Sequence, residues 1–240
     1  MFSNIITFTT LDEFYEDKEI HPIPSKLNIP SWFKELNHEI NNFTIKGCMP
    51  VLDSLTAGYI LKMPVDYYFE FNQKKDDNFY TAYKSSMFEK NDWVNSGEFS
   101  GHNTIQIGEK CPYFKKNKGN VVHKIINPWF ISTPPGYSCL FLPPMHNTDD
   151  RFSIIPGIVD TDTFEERINF PIVFNGDKYP TLKSTIKYGT PFVQVIPFKR
   201  EGWKMKIKGV KNIKPIKKLT YFKRVIHNYK NLYWNKKSWK

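Results

Sequence analysis

One ordered stretch in the later half of the chain constrains its fold most. It begins Gly157-Ile158-Val159-Asp160-Thr161-Asp162, a glycine opening an apolar run that ends on two carboxylates. A β-like Ile168-Asn169-Phe170-Pro171-Ile172-Val173-Phe174 follows, and then Gly189-Thr190-Pro191-Phe192-Val193-Gln194-Val195-Ile196-Pro197-Phe198, an apolar run broken by one glutamine. Apolar runs of this length, opened by Gly or Pro, read as paired β-strands carrying a polar site at one end.

The rest of the chain repeats that grammar. Ile5–Thr9 is β-like, and Pro22, Pro24 and Pro30 precede Ser31, which is placed to cap a short N-terminal helix through Leu36. The pattern over 43–71 is extended and apolar, alternation weakens over 72–103 as in an insertion, and extended segments resume at 104–107 and 121–131. Further strands are expected at 138–142, 152–160, 168–174 and 191–198. Short strands between Pro/Gly turns predict a single all-β domain over residues 1–200, a sandwich or distorted barrel, with residues 201–240 as a basic helical tail.

Charge divides the chain in the same place. The formal net charge is +10, yet residues 199–240 hold fifteen Lys or Arg against one acid, Glu201, leaving nineteen basic and twenty-three acidic side chains in the first 198. Leu219, Phe222, Ile226, Tyr229 and Tyr233 recur every three or four residues, which predicts a basic amphipathic helix. Lys204, Lys217, Lys218, Lys223 and Arg224, among interleaved aromatics, are candidates for contact with nucleic acid or another anionic surface. An anionic membrane surface suits the same composition. The plainer alternative docks the aromatic face on the mildly acidic body or on a neighbouring subunit of a homo-oligomer.

Three widely spaced cysteines, with no CxxC, argue against a zinc knuckle or disulfide scaffold and for a reducing compartment. No basic, apolar leader opens the sequence, and no apolar run reaches the ~18 residues of a membrane helix. The expectation is a cytoplasmic or virion protein without a transmembrane segment.

Asp160 and Asp162 are the foremost catalytic candidates. Residues two apart on a strand share a face, and two such carboxylates can hold a divalent cation or activate water. The plainer reading is a strand-end turn. The six histidines show no HxH, HxD or HExxH spacing, so no metal site is assigned, and His146 reads as a turn histidine. There is no Gly-x-Ser-x-Gly elbow, and Cys139, inside Ser138-Cys139-Leu140-Phe141-Leu142, reads as a buried, inert thiol.

The order of these motifs resembles the dUTPase and dCTP deaminase superfamily, an all-β, β-clip fold. Its Gly-Val-Ile-Asp strand is similar to Gly157-Ile158-Val159-Asp160, its Gly-x-x-x-Ala-Gln strand to Gly189–Gln194, its early Ala-Gly-Tyr-Asp turn to Ala57-Gly58-Tyr59, and a further turn to Pro135-Gly136-Tyr137. The resemblance implies that Asp160 would activate water, with Asp162, Tyr59, His146, Phe164 and Gln194 around substrate and Mg²⁺ as the only implied cofactor. The chain departs from that pattern where phosphate is gripped. Ile60 stands in place of an aspartate, Pro143-Pro144-Met145-His146-Asn147 replaces an Arg-Ser-Gly loop, and Thr163 and Glu165 replace a tyrosine and a glycine. The chain also resembles uncharacterised bacteriophage-type proteins with Pro-Gly-Tyr, Gly-Ile-Val-Asp and Gly-Thr-Pro in the same order. The sequence therefore predicts a non-catalytic structural or binding module of a phage-like system that self-associates. The alternative is a divergent Mg-dependent nucleotide hydrolase.

Overall fold

A computed structural model describes residues 4–39, 41–72, 102, 104–117, 122–209 and 228–240. The apolar run opened by Gly189 becomes β12 (Pro191–Lys199), the longest strand among them and bonded on both edges. It lies at the centre of a five-stranded antiparallel sheet ordered β2 (Ile23–Pro24), β3 (Tyr59–Lys62), β12, β7 (Tyr137–Leu142), β9 (Gly157–Val159). A three-stranded sheet, β5 (His123–Ile125), β10 (Phe170–Phe174) and β8 (Phe152–Ile154), faces it. Two pairs complete the set, β4 (Tyr67–Asn72) with β11 (Thr181–Ile186) and β1 (Thr7–Thr9) with β6 (Phe130–Ser132). The chain is thus mostly β, and among the described residues no sheet closes into a barrel.

Strand periodicity explains which side chains meet. Leu61, Val193, Val195, Cys139 and Phe141 point inward from the larger sheet, each at most 2% exposed. Ile125, Ile154, Phe170 and Ile172 answer from the smaller one. The two layers lock through rings, Phe170 lying 5.5 Å from Phe141 and 5.6 Å from Phe192. Phe192 reaches that contact because the β12–β3 register slips between Pro191 and Val193, and a slip of this kind re-aims the residue it contains. Phe69 of β4 stacks on Phe174 at 4.2 Å, tying the β4–β11 pair to the same core. Cys139 is fully buried, and burial pushes its thiol up to about 11, which keeps it protonated and inert.

Several expected elements are corrected. The 43–71 stretch is not extended throughout, because Met49–Thr56 forms helix α3, following α1 (Asp12–Tyr15) and α2 (Ser31–Glu35). Pro50 in its first turn suits a helix start, and Val51, Leu52 and Leu55 fall at helical spacing. The expected extended segment 104–107 is a short helix. The single strand expected over 152–160 is two strands in different sheets. Pro156 lies between them, and proline can donate no ladder hydrogen bond. The short helix near the start is Ser31–Glu35, but Pro30 precedes it without a side-chain cap and Ser31 is its first helical residue. β11 went unforeseen because Thr181-Leu182-Lys183-Ser184 carries little apolar signal. The 72–103 insertion falls almost wholly outside the described residues, as does most of the expected tail helix, of which Asn228–Leu232 is described as helical.

Phe170 joins the two layers, so Phe170→Ala should cost about 3–5 kcal/mol of unfolding free energy. Denaturant titration reads this directly, and a loss near zero would refute a core closed by these rings.

Candidate functional site

Both candidate carboxylates meet one guanidinium. Ser138 on β7 pairs with Phe198 on β12, and Val159 on β9 pairs with Cys139, so Ser138, Asp160 and Arg200 converge at one end of the sheet's outer face. The Ser138 hydroxyl donates to Asp160 Oδ1 at 2.7 Å. Arg200, directly after β12, donates through Nη1 to Asp162 Oδ1 at 2.7 Å and through Nη2 to Oδ2 of the same carboxylate. Its Nη1 also lies 3.2 Å from Asp160 Oδ1, 3.1 Å from Ser138 Oγ and 3.0 Å from the Tyr137 carbonyl. The Gly136 amide donates to Asp162 Oδ2 at 2.8 Å, and the Arg200 amide donates back to the Gly136 carbonyl at 2.8 Å.

The two carboxylates therefore differ in kind. The Asp162 side chain is 4% exposed and that of Asp160 62% exposed. The Arg200 guanidinium, seconded by the Gly136 amide, holds the Asp162 carboxyl down at about 2, and Asp162 raises Arg200 in return. Asp160 begins a turn rather than continuing the strand, its carbonyl accepting from the Thr163 and Phe164 amides at 3.1 and 2.9 Å. A planar fork that satisfies two oxygens at once is what arginine supplies and lysine cannot.

Gln194 is 1% exposed and is consumed by structure. Its amide nitrogen donates to the Ser54 and Ala57 carbonyls at 2.9 and 2.7 Å, and its oxygen accepts from the Met145 amide at 2.9 Å. It thereby fastens α3 and the loop after β7 onto β12. Gly58, at φ +66°, crosses β12 so closely that a β-carbon would collide with the Val195 carbonyl. His146, at φ +61° and exposed, approaches the same helix. Its Nε2 is 2.9 Å from Ser54 Oγ, and its carbonyl accepts from Trp32 Nε1 at 3.2 Å. Phe164 is 42% exposed.

Tyr59 belongs elsewhere. It pairs with Val195 on the inner face and packs edge-on against Phe8 with ring centroids 5.6 Å apart; burial raises its hydroxyl above the ordinary tyrosine value. With Ile5, Ile6, Tyr137, Pro197 and Trp239 it lines a cavity of about 600 Å³ that none of Asp160, Asp162, His146, Phe164 or Gln194 lines. Some polar groups at its rim are paired, Asn4 Nδ2 donating to the Tyr137 hydroxyl at 2.5 Å and Tyr59 donating to the Lys240 carbonyl at 3.1 Å.

The last described segment docks on the body. Trp234 Nε1 donates to both Asp53 oxygens at 3.1 and 3.0 Å, and Lys237 Nζ lies 2.6 Å from Asp53 Oδ2. Trp239 meets the Tyr59 ring edge-on. Lys204 is exposed, whereas Lys217, Lys218, Lys223 and Arg224 lie outside the described residues. Among the described residues no three His, Cys, Asp or Glu side chains cluster as metal ligands, and no helix is long and apolar enough to cross a membrane.

Sequence reasoning missed Arg200, Ser138 and Asp53. Arg200 did carry a signal, since the chain has four arginines against thirty lysines. A second arginine, Arg151, repeats the device. It forks onto Asp149, with Nε–Oδ1 2.8 Å and Nη2–Oδ2 2.6 Å, and reaches Ser184 on β11.

No family model matches the chain and no curated protein does. Among solved structures, a mutant dUTPase from phage phi11 of S. aureus, described with a structural Mg(II) ion, is similar over 39% of this chain and 73% of that one, at 17% identity and a TM-score of 0.26. So slight a likeness places the chain in no family.

Stability should fall in two acid steps. Burial lowers His123 to about 4 from 6.5, so the unfolded chain takes up a proton first and stability drops between those values. Asp162, held near 2, supplies stability that is present above its ordinary value of 3.8 and is lost as pH falls through about 2. Asp162→Asn should shrink the lower step, which Asp66 and Asp149, also held below the ordinary carboxylate value by Lys187 and Arg151, share, and leave the upper one, as read from chemical denaturation across pH; an unchanged lower step would show that the Arg200 pair contributes nothing.

Proposed function

We propose that this chain is a non-catalytic structural or binding module of a phage-like system that associates with copies of itself through its β-rich body. The observation that carries the reading is the fork of Arg200 onto Asp162, with Asp160 and Ser138 drawn into the same cluster. A carboxylate held by a guanidinium and a backbone amide is a weak base, its proton affinity spent on neighbours. The glutamine expected at a phosphate site has both ends of its amide occupied by main chain. A divalent cation does not fit the pair either, because the place it would take between the carboxylates is filled by a cation already.

The second reading, a divergent nucleotide hydrolase, keeps one favourable observation, the 62% exposure of the Asp160 side chain. It would need Asp160 alone to orient water, with phosphate held by groups other than the missing arginine and serine loop. Under both readings residues 1–200 act as one β domain and 201–240 as an appendage, in the cytoplasm or a virion. The docking of Trp234 and Lys237 on Asp53 supports an appendage that partly folds back rather than one wholly given to nucleic acid.

Incubation with a panel of nucleoside triphosphates and Mg²⁺ should release no pyrophosphate, and Asp160→Asn should change nothing but local stability. Turnover that Asp160→Asn abolishes, in a variant that keeps its thermal transition, would overturn the non-catalytic reading and establish the hydrolase. Sedimentation of the full chain should give a mass above that of one copy.

A further inference from the structure

Residues 228–240 carry four lysines and no acid. Over 229–240 every residue is exposed except Trp234 and Trp239, whose rings are turned onto the body. Trp234 Nε1 donates to the Asp53 carboxylate, which Lys237 Nζ also approaches at 2.6 Å. Lys237 in turn lies over the Trp234 ring, 5.8 Å from its centroid. Further along, Trp239 meets Tyr59 edge-on, and the Tyr59 hydroxyl donates to the Lys240 carbonyl. Ser238, Trp239 and Lys240 thereby form one wall of the cavity beside Tyr59.

The segment is a strap held at its two tryptophans. Asp53 offers the first a firm post, because it belongs to α3, which the bonds from Gln194 to the Ser54 and Ala57 carbonyls tie to β12. The ion pair at that post is open to water, with the Lys237 side chain 47% and that of Asp53 23% exposed. Such a pair contributes little, and a segment fastened by two rings and one such pair opens locally at small cost.

The composition of the strap matches one class of partner. Trp234-Asn235-Lys236-Lys237-Ser238-Trp239-Lys240 sets isolated rings among cations, as suits stacking on bases and neutralising the phosphates of single-stranded nucleic acid. It has no continuous apolar face to sink into a bilayer. In the docked position both rings are engaged by the body and Lys237 is engaged by Asp53. The groups that fasten the strap are therefore the ones nucleic acid would need. We propose, independently of self-association, that residues 234–240 are an arm for single-stranded nucleic acid held closed by Asp53. Docking on the body and binding nucleic acid exclude each other, and the closed fraction of the arm lowers its apparent affinity in proportion.

The full chain, Asp53→Ala, Asp53→Asn and a charge control at an exposed acid, Glu165→Ala, are titrated against labelled single-stranded oligothymidylate at low and high salt, with thermal unfolding of each to confirm the fold. Asp53→Ala should bind about five- to thirtyfold more tightly than the parent, the worth of one partly exposed ion pair and one indole hydrogen bond. Acrylamide should also quench its tryptophan emission more strongly. Asp53→Asn keeps an acceptor for Trp234 and loses only the charge, so its gain is smaller. Adding Trp234→Ala and Trp239→Ala to Asp53→Ala should abolish the gain. Unchanged quenching, Asp53→Ala binding no better than the parent, or an equal gain in Glu165→Ala overturns the proposal. So does the absence of oligothymidylate binding in every protein. A gain seen instead on vesicles of phosphatidylserine and phosphatidylcholine assigns the arm to a lipid surface, and the proposal falls.

Discussion

Strand β12 is where every layer is held. Its backbone is bonded to β3 on one side and to β7 on the other. Phe192, Val193, Gln194 and Val195 are all buried, three of them apolar and one a primary amide. Burying that amide is tolerable because its nitrogen and its oxygen both find main-chain partners, two carbonyls and one amide. The same three bonds fix α3 and the following loop against the sheet. The central strand is thus also the hinge post for everything packed on its outer face.

Arg200 directly follows the strand's far end, and there charge takes over from apolar packing. A guanidinium, two carboxylates, a hydroxyl and a pair of main-chain groups meet within a few ångströms, one positive charge against two negative. The cavity beside Tyr59 is a separate feature on the other face of the same sheet, closed in part by Trp239 and Lys240.

Fold class was legible because the strands of the later half are apolar, short and punctuated by proline and glycine. β7, β10 and β12 were found for that reason. Elements failed where the signal was local and mixed. α3 sits in a stretch whose glycines and prolines suggested extension, and β11 presents mostly polar residues to solvent. The carboxylates of the site were legible as a pair, but their partner was not. Arg200 lies about forty residues away in sequence and comes near only because β12, β7 and β9 are adjacent lanes. Cross-strand neighbours of that sort follow from topology, which no motif records. The resemblance put Gln194 beside substrate, whereas its burial and its three main-chain bonds make it a fastener of two backbones.

Gly58 gives the sheet its most demanding contact. With φ at +66° and the Val195 carbonyl where a side chain would begin, the joint between α3 and β3 admits hydrogen and nothing larger. The position most intolerant of change in this part of the molecule therefore bears no chemical group at all. Invariance there among related sequences would record how tightly two stretches of main chain are pressed together, and would say nothing about what the protein binds.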